Sequence, residues 1–560
     1  MQNFYQNLYQ KSALKGWLSQ GWLFLVILIA LILSTPIWVV LSSIFSNKAE
    51  VWNHLASTVL PLYLTNSLWL MVGVGLGVLG MGVTTAWLVT MCRFPGSRIF
   101  EWALLLPLAT PAYILAYTYT NLLEVSGVVQ ITLRQLFNLQ TGQYWFPNIR
   151  SLPGAIALLS LTLYPYVYLW ARVAFLEQGA VILEASRILG CNPWQSFWRV
   201  ALPLARPAIA AGLSLALMET LNDYGTVQYF AVDTFTTGIY RTWFGMGEQV
   251  AASQLAACLM IFVLWLVLWE RWSRRQAKFY QIGSYRSLPS YDLQGSRAIW
   301  AIIICTLPIT LGLLIPGIHL GLMAWGQRDQ ILGDRFWNFA GNSFTLAGIT
   351  ALIAIILGLV IAYGVRISGS SAMDFASQIT SLGYAVPGSV IAVGILIPLG
   401  FMDSAIDNWF RDHWQISTGL LFSGTIFALI FGYLVRFLAV SLGGITAGLE
   451  KIKPNLDNAA RSLGCSPLAT LKQIHIPLLG SSLLTAGMLV FVDVMKELPA
   501  TMILRPFNFD TLAVRVYNLA SDERLPEAAS AALAIVLVGL IPVLFLTWQI
   551  RNSRILPNPK

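Results

Sequence analysis

Apolar residues run in stretches close to 20 residues long, repeatedly, along the whole 560-residue chain, and that pattern leaves few folds open. At 1.5 Å per residue a helix of this length crosses a hydrocarbon layer of about 30 Å. Lipid offers backbone N–H and C=O groups no partners, so each crossing segment has to satisfy them internally, as a helix does. With 57% hydrophobic and only 11% charged residues and a mean hydropathy of +0.68, the chain has too little polar surface to cover its apolar side chains in water. It therefore reads as an all-α, polytopic membrane protein with about twelve transmembrane helices. The first six are expected near 22–44, 66–90, 101–123, 152–176, 204–230 and 252–270. The second six are expected near 298–322, 343–365, 376–402, 417–440, 478–502 and 528–549.

Lys and Arg are retained on the cytoplasmic side more readily than they are translocated. Arg93, Arg98, Arg187, Arg199, Arg271, Arg274, Arg275, Lys451, Lys453, Lys472 and Arg551 all fall on one face of this span order, and acids such as Asp329, Asp334, Asp403, Asp407 and Asp522 on the other. Both termini are expected in the cytoplasm. The net charge of +9 is accounted for by this bias, so no nucleic-acid partner is called for. The first apolar stretch lacks a small-residue cleavage pattern and is expected to remain as an anchor. Five cysteines lie in spans or on the reducing side, where no disulfide framework is implied.

The chain is also a tandem duplication. Glu184-Ala185-Ser186-Arg187-Ile188-Leu189-Gly190, closed by Pro203, recurs as Asn458-Ala459-Ala460-Arg461-Ser462-Leu463-Gly464, closed by Pro477. Asn66-Ser67 answers Asn342-Ser343, Pro111 answers Pro387, and Tyr240 answers Tyr517. Six spans per copy return the chain to its starting side, so the copies insert with the same topology. The boundary falls in the basic, polar linker, giving repeats 1–280 and 281–560.

Each duplicated segment, near 177–203 and 451–477, is too polar for a span and is interrupted by Gly and Pro. A short surface helix presenting Leu189, Phe197 and Trp198 beside Arg187 suits docking into a groove on another protein. These segments resemble the cytoplasmic coupling loops of the permeases of binding-protein-dependent ABC importers. The resemblance implies that Glu184, Ala185, Arg187, Gly190 and Pro203, with Asn458, Ala459, Arg461, Gly464 and Pro477, contact two ATP-binding cassette subunits. Asn458 departs from the family pattern, which has Glu there. The chain has no Gly-rich phosphate loop ending in Gly-Lys-Ser/Thr. It is accordingly expected to be no enzyme and to bind no cofactor, ATP and Mg residing on the partner subunits.

Charged residues inside spans are the remaining signal, each costing roughly 2.5–3.5 kcal/mol at mid-bilayer. Glu219 and Asp223 lie in span five, Asp493 and Glu497 in span eleven. The spacing i, i+4 puts each pair on one helix face about 6 Å apart. Gly225 and Pro499 follow the acids and allow the helix to break there, a recurring device beside transporter substrate paths. Carboxylate oxygens suit a hard cation. The four histidines do not approach metal-ligand spacing, so no fixed metal site is expected beyond the transient passage of a hard cation at these acids. The run Lys496-Glu497-Leu498-Pro499-Ala500-Thr501 and its partner Leu221-Asn222-Asp223-Tyr224-Gly225-Thr226 resemble the fused permeases of ferric-iron importers. That resemblance implies an extracytoplasmic binding protein as a further partner and Fe(III) as cargo. Thiamine and phosphonate permeases share the architecture and remain alternatives, as does a secondary transporter driven by an ion gradient.

Overall fold

The computed structural model describes residues 2–46, 49–177, 186, 188–275, 291–327 and 333–553. These are almost entirely helical, apart from a two-residue parallel pairing of Cys92–Arg93 with Tyr291–Asp292. Among the described residues ten helices are long and apolar enough to cross a membrane, and two bent helix pairs bring the number to twelve if each is one span. One bent pair is the third expected span, where Ser97–Ala109 and Ala112–Phe137 meet at 88°. The other joins Pro467–Leu478 to Gly480–Lys496 at 77°. The first bend has a local cause: Thr110 and Pro111 are extended, and Pro111 has no N–H to continue a helix.

The residues fall into two compact units. One comprises Met1–Ser46 and Gly341–Asp510. In it the N-terminal helix Gln2–Ser42 packs along Gly388–Trp414, close enough that a Cβ on Gly394 would sit 2.4 Å from the Pro36 carbonyl oxygen. The Trp22 indole N–H donates to the Val360 carbonyl at 2.9 Å. Trp22 thus has its polar edge satisfied where no water is at hand.

The second unit comprises Asn47–Ala340 and Thr511–Lys560. Its most extensive contact is between Leu60–Met91 and Leu152–Glu177. Gly73, Gly77 and Gly82 face Ile156, Ser160 and Val167, so small residues let the two backbones approach, the usual solution where lipid removes the hydrophobic drive between helices. The last helix, Leu525–Ser553, packs against Ile315–Gly326 and Leu106–Ala109 in the same unit. Sequence repeats and compact units are therefore different divisions of the chain: the first helix of repeat one lies with the middle of repeat two, and the ends of repeat two lie with repeat one. Apolar side chains such as Phe24, Trp69, Leu76, Leu322 and Leu352 are more than half exposed, as a lipid-facing surface requires.

Candidate functional site

The two duplicated loops close in the same way. Gly190 and Gly464 have φ of 82° and 84°, a left-handed conformation that non-glycine residues adopt only under strain. The residue after each, Cys191 or Cys465, donates its N–H to the carbonyl five residues back, Ser186 or Ala460, both at 3.0 Å. Gly464 also donates to the Arg461 carbonyl at 3.0 Å. These are the paired bonds of a Schellman helix end. The cysteines accordingly serve as half-buried helix-end residues.

Behind that end, the second loop is bolted to the membrane domain. Arg366 donates to Asp457 Oδ2 through Nε at 3.0 Å and Nη2 at 2.7 Å, and to the carbonyls of Leu449 and Ile452. Asp457 Oδ1 lies 2.6 Å from His475 Nε2, and Tyr363 donates to the Pro467 carbonyl at 2.7 Å. Burial acts to raise the Asp457 pKa, but the hydrogen bonds from Arg366 and His475 outweigh it and hold the carboxyl below its usual range. His475 is fully buried in this brace. The helix Pro454–Ser462 keeps Asp457 and Ala460 inward and turns Asn458, Ala459, Arg461 and Leu463 out. Gly464 and Pro477 are exposed with them.

In the first loop Ile188 is 86% and Leu189 82% exposed, as Leu463 is at 84% in the second. Trp194 and Trp198 are exposed too. Phe197, expected on the docking face, instead turns inward onto Trp87, with ring centroids 4.9 Å apart. Ser186, the counterpart of Ala460, is buried and hydrogen-bonded to Ser196. Pro203 is exposed. Glu184, Ala185 and Arg187 lie outside the described residues.

The spans carrying the acids break where the Gly and Pro pattern places the break. Leu202–Asn222 ends one residue before Asp223, and Gly480–Lys496 one residue before Glu497. Asp223 and Glu497 are both extended, at φ, ψ of −62°, 131° and −71°, 123°, and short helices Gly225–Tyr229 and Pro499–Leu504 follow. This overturns one expectation: Asp223 and Glu497 do not share a helix face with Glu219 and Asp493, because the helix stops between them. Glu219 instead accepts from Asn222 Nδ2 at 3.4 Å, and Asp493 pairs with Lys496 at 3.0 Å.

Each break-point acid takes up backbone N–H groups that the next short helix leaves free. Asp223 accepts from the Val227 N–H at 3.1 Å and the Thr226 hydroxyl at 2.9 Å, and Glu497 from the Ala500 N–H at 3.2 Å. The duplicated asparagines tie down the loop beyond. Asn66 donates to the Asp233 carbonyl at 2.9 Å, and Asn342 to that of Asp510 at 3.1 Å.

The copies then diverge. Arg436, in the helix Ile426–Glu450, pairs with Glu497 at 2.9 Å, the two side chains being 5% and 2% exposed. A Cβ on Gly388 would fall 2.5 Å from Glu497 Oε1 and 2.8 Å from Arg436 Nη1, so glycine makes room for the pair. In the first copy the positions matching Gly388 and Arg436 hold Ala112 and Thr162. Arg436 was not among the residues the sequence singled out, although a cation amid the apolar run Phe431 to Val440 marks it. Arg172, buried and paired with Glu101, is a second such cation. Among the described residues no three His, Cys, Asp or Glu side chains cluster as a metal site.

Residues 12–275 and 354–554 match the family model described as binding-protein-dependent transport system inner membrane component. Among curated relatives, the chain is 26% identical over 492 residues to the Fe(3+)-transport system permease protein FbpB 2 of Haemophilus influenzae, covering 86% of this chain and 89% of that protein. It is 26% identical over 523 residues to the ferric transport system permease protein FbpB of Actinobacillus pleuropneumoniae, covering 88% and 72%. A shorter match, 28% identical over 214 residues, is to the putative 2-aminoethylphosphonate transport system permease protein PhnV of Salmonella typhimurium, covering 38% of this chain and 74% of that one.

Proposed function

Since the chain belongs to the family of inner membrane components of binding-protein-dependent transport systems, we propose that it is the permease of an ATP-driven importer whose cargo is Fe(III). An extracytoplasmic binding protein delivers the cargo to the outer face. Two ATP-binding cassette subunits, which carry ATP and Mg, dock on the duplicated loops, with both chain termini on their side of the membrane. Ile188 and Leu189 in one loop and Leu463 in the other are the apolar anchors for that docking. The observation that carries the coupling role is the identical closure of the loops: a left-handed glycine fixes the helix end from which the apolar side chains project. Because the brace of Arg366, Asp457 and His475 joins the loop to two spans, a push on the loop is transmitted rather than absorbed. Closing and opening of the ATPases then switches the cavity between outward- and inward-facing states.

Iron is the preferred cargo because the ferric permeases match along most of the chain and because a hard oxygen donor with only neutral partners, Asp223, stands at the first break. The decisive experiment is uptake of labelled Fe(III), thiamine and 2-aminoethylphosphonate in a strain lacking the chain and complemented with it, with and without an active ATPase partner. Iron uptake that needs both supports the reading. Uptake of another solute alone reassigns the cargo, and uptake that survives loss of the ATPase but collapses with the ion gradient replaces the importer with a secondary transporter.

A further inference from the structure

Beside Asp223 the first break holds a group of phenols that neither loop coupling nor ion pairing uses. Tyr117 is fully buried, and its hydroxyl has no hydrogen-bond partner. An unmet buried hydroxyl is unfavourable and asks for something that satisfies it at another time. The helix Ala112–Leu123 that carries it packs against both Gly225–Tyr229 and Leu512–Ser521. Tyr224, in the break itself, has its ring between Tyr240 and Tyr517, with centroids 4.6 and 5.7 Å away, and its hydroxyl 3.1 Å from that of Tyr517. Asp223 and Tyr517 both lie within electrostatic range of the Tyr117 hydroxyl. Arg150 is near, over the Tyr229 ring at 4.8 Å, but Glu124 holds its guanidinium at 2.6 Å.

The second break has no such set. The positions matching Tyr117 and Tyr224 are Val393 and Leu498, both buried, and the match to Asp223 is Glu497, which Arg436 already neutralises. One phenol, Tyr433, is buried beside this second break, but its hydroxyl is engaged with that of Thr501 at 2.5 Å, so a set of several phenols is gathered only at the first.

We propose that Asp223, Tyr117, Tyr224 and Tyr517 form a transient binding site for the transported trivalent cation, an inference that rests on the ferric reading of the cargo. Carboxylate and phenolate are hard anionic oxygens of the kind such a cation prefers. Each phenol that ligates exchanges its O–H bond for an O–Fe bond and releases one proton to water. Iron stays trivalent throughout, so no oxidant or reductant is needed. When the cation leaves toward the cytoplasm, the phenols take protons back and the Tyr224–Tyr517 contact re-forms.

The test uses Tyr117→Phe, Tyr224→Phe and Tyr517→Phe, which keep the rings and remove only the donors, in the complete transporter. Labelled-iron uptake should fall about tenfold in Tyr117→Phe and Tyr224→Phe, equivalent to about 1.4 kcal/mol, with membrane abundance and ATPase co-purification at wild-type level. The purified complex titrated with ferric nitrilotriacetate should develop the visible charge-transfer band of phenolate bound to Fe(III), weakened in each Phe variant, and gallium, which takes the same ligands without the band, should compete for it. Should Tyr117→Phe lower membrane abundance, the half-exposed Tyr517→Phe decides instead. Undiminished uptake in the Phe variants, in a strain where the wild-type chain takes up iron, overturns the site; a wild-type chain that takes up no iron overturns the cargo assignment first.

Discussion

The Arg436–Glu497 pair makes a quantitative prediction because its geometry is so confined. Its charged atoms are 2.9 Å apart and the side chains are almost wholly buried. The Ala500 N–H also depends on Glu497. Removing one member of such a pair leaves an uncompensated charge out of water and is unfavourable by about 3–5 kcal/mol, whereas removing both charges is often close to neutral. Arg436→Leu and Glu497→Gln should therefore each destabilise strongly, and the double variant should recover most of the loss, since Gln still accepts from the Ala500 N–H. Gly388→Ala should resemble the single variants, because its Cβ enters the space between the two charges. For a unit of this size about 2–4 °C accompanies each kcal/mol. The single variants should then melt roughly 6–20 °C below wild type in detergent, and the double within about 4 °C of it. A double variant that melts as low as the summed singles would show that the two residues act independently and would refute the pair as a coupled lock.

Three further outcomes follow from the loops and the topology. Gly190→Trp and Gly464→Trp should each abolish ATP-driven uptake without removing the chain from the membrane, because a side chain at φ near +83° strains the helix end by about 1–2 kcal/mol and displaces the apolar anchors; wild-type uptake in both variants would exclude the docking role. Asp457 has a lowered folded-state pKa, so its brace is fully formed above the unfolded value of about 3.9 and is lost as pH falls through the folded value; protease protection of the second loop should be flat from pH 7 to about 5 and fall only in stronger acid, while Asp457→Asn should start lower and show no such fall. In a cysteine-free background, Leu463→Cys should react with an impermeant thiol reagent only in inverted vesicles and Gly142→Cys only in intact cells, and the opposite pattern would invert the assigned orientation.

What could be read from the sequence was what the duplication and local chemistry write twice. The left-handed glycines at 190 and 464 and the breaks at Asp223 and Glu497 sit where a conformational requirement of one or two residues fixes the outcome. The bend at Pro111 was written in the same local code, but a continuous apolar run masks it when hydropathy alone is weighed. The i, i+4 carboxylate pairs failed for a related reason. Spacing places side chains on one face only while the helix continues, and here the residues that allow the break end it between the two acids.

The partners of the acids were not legible, because they lie across the fold. Arg436 is 61 positions from Glu497, and Asp457 is held by Arg366 from 91 positions away. Duplication also misleads about function at this range: it suggests that Asp223 and Glu497 do the same work, whereas substitutions elsewhere in each copy decide otherwise. A glycine and an arginine in the second repeat turn its acid into half of a buried ion pair. An alanine and a threonine at the matching positions of the first leave Asp223 with neutral donors and a set of phenols beside it. The asymmetry of the permease therefore resides in the surroundings of two equivalent carboxylates and not in the carboxylates themselves. Exchanging the residues at 112 and 162 for Gly and Arg should carry the lock into the first copy and close the site that the second copy lacks.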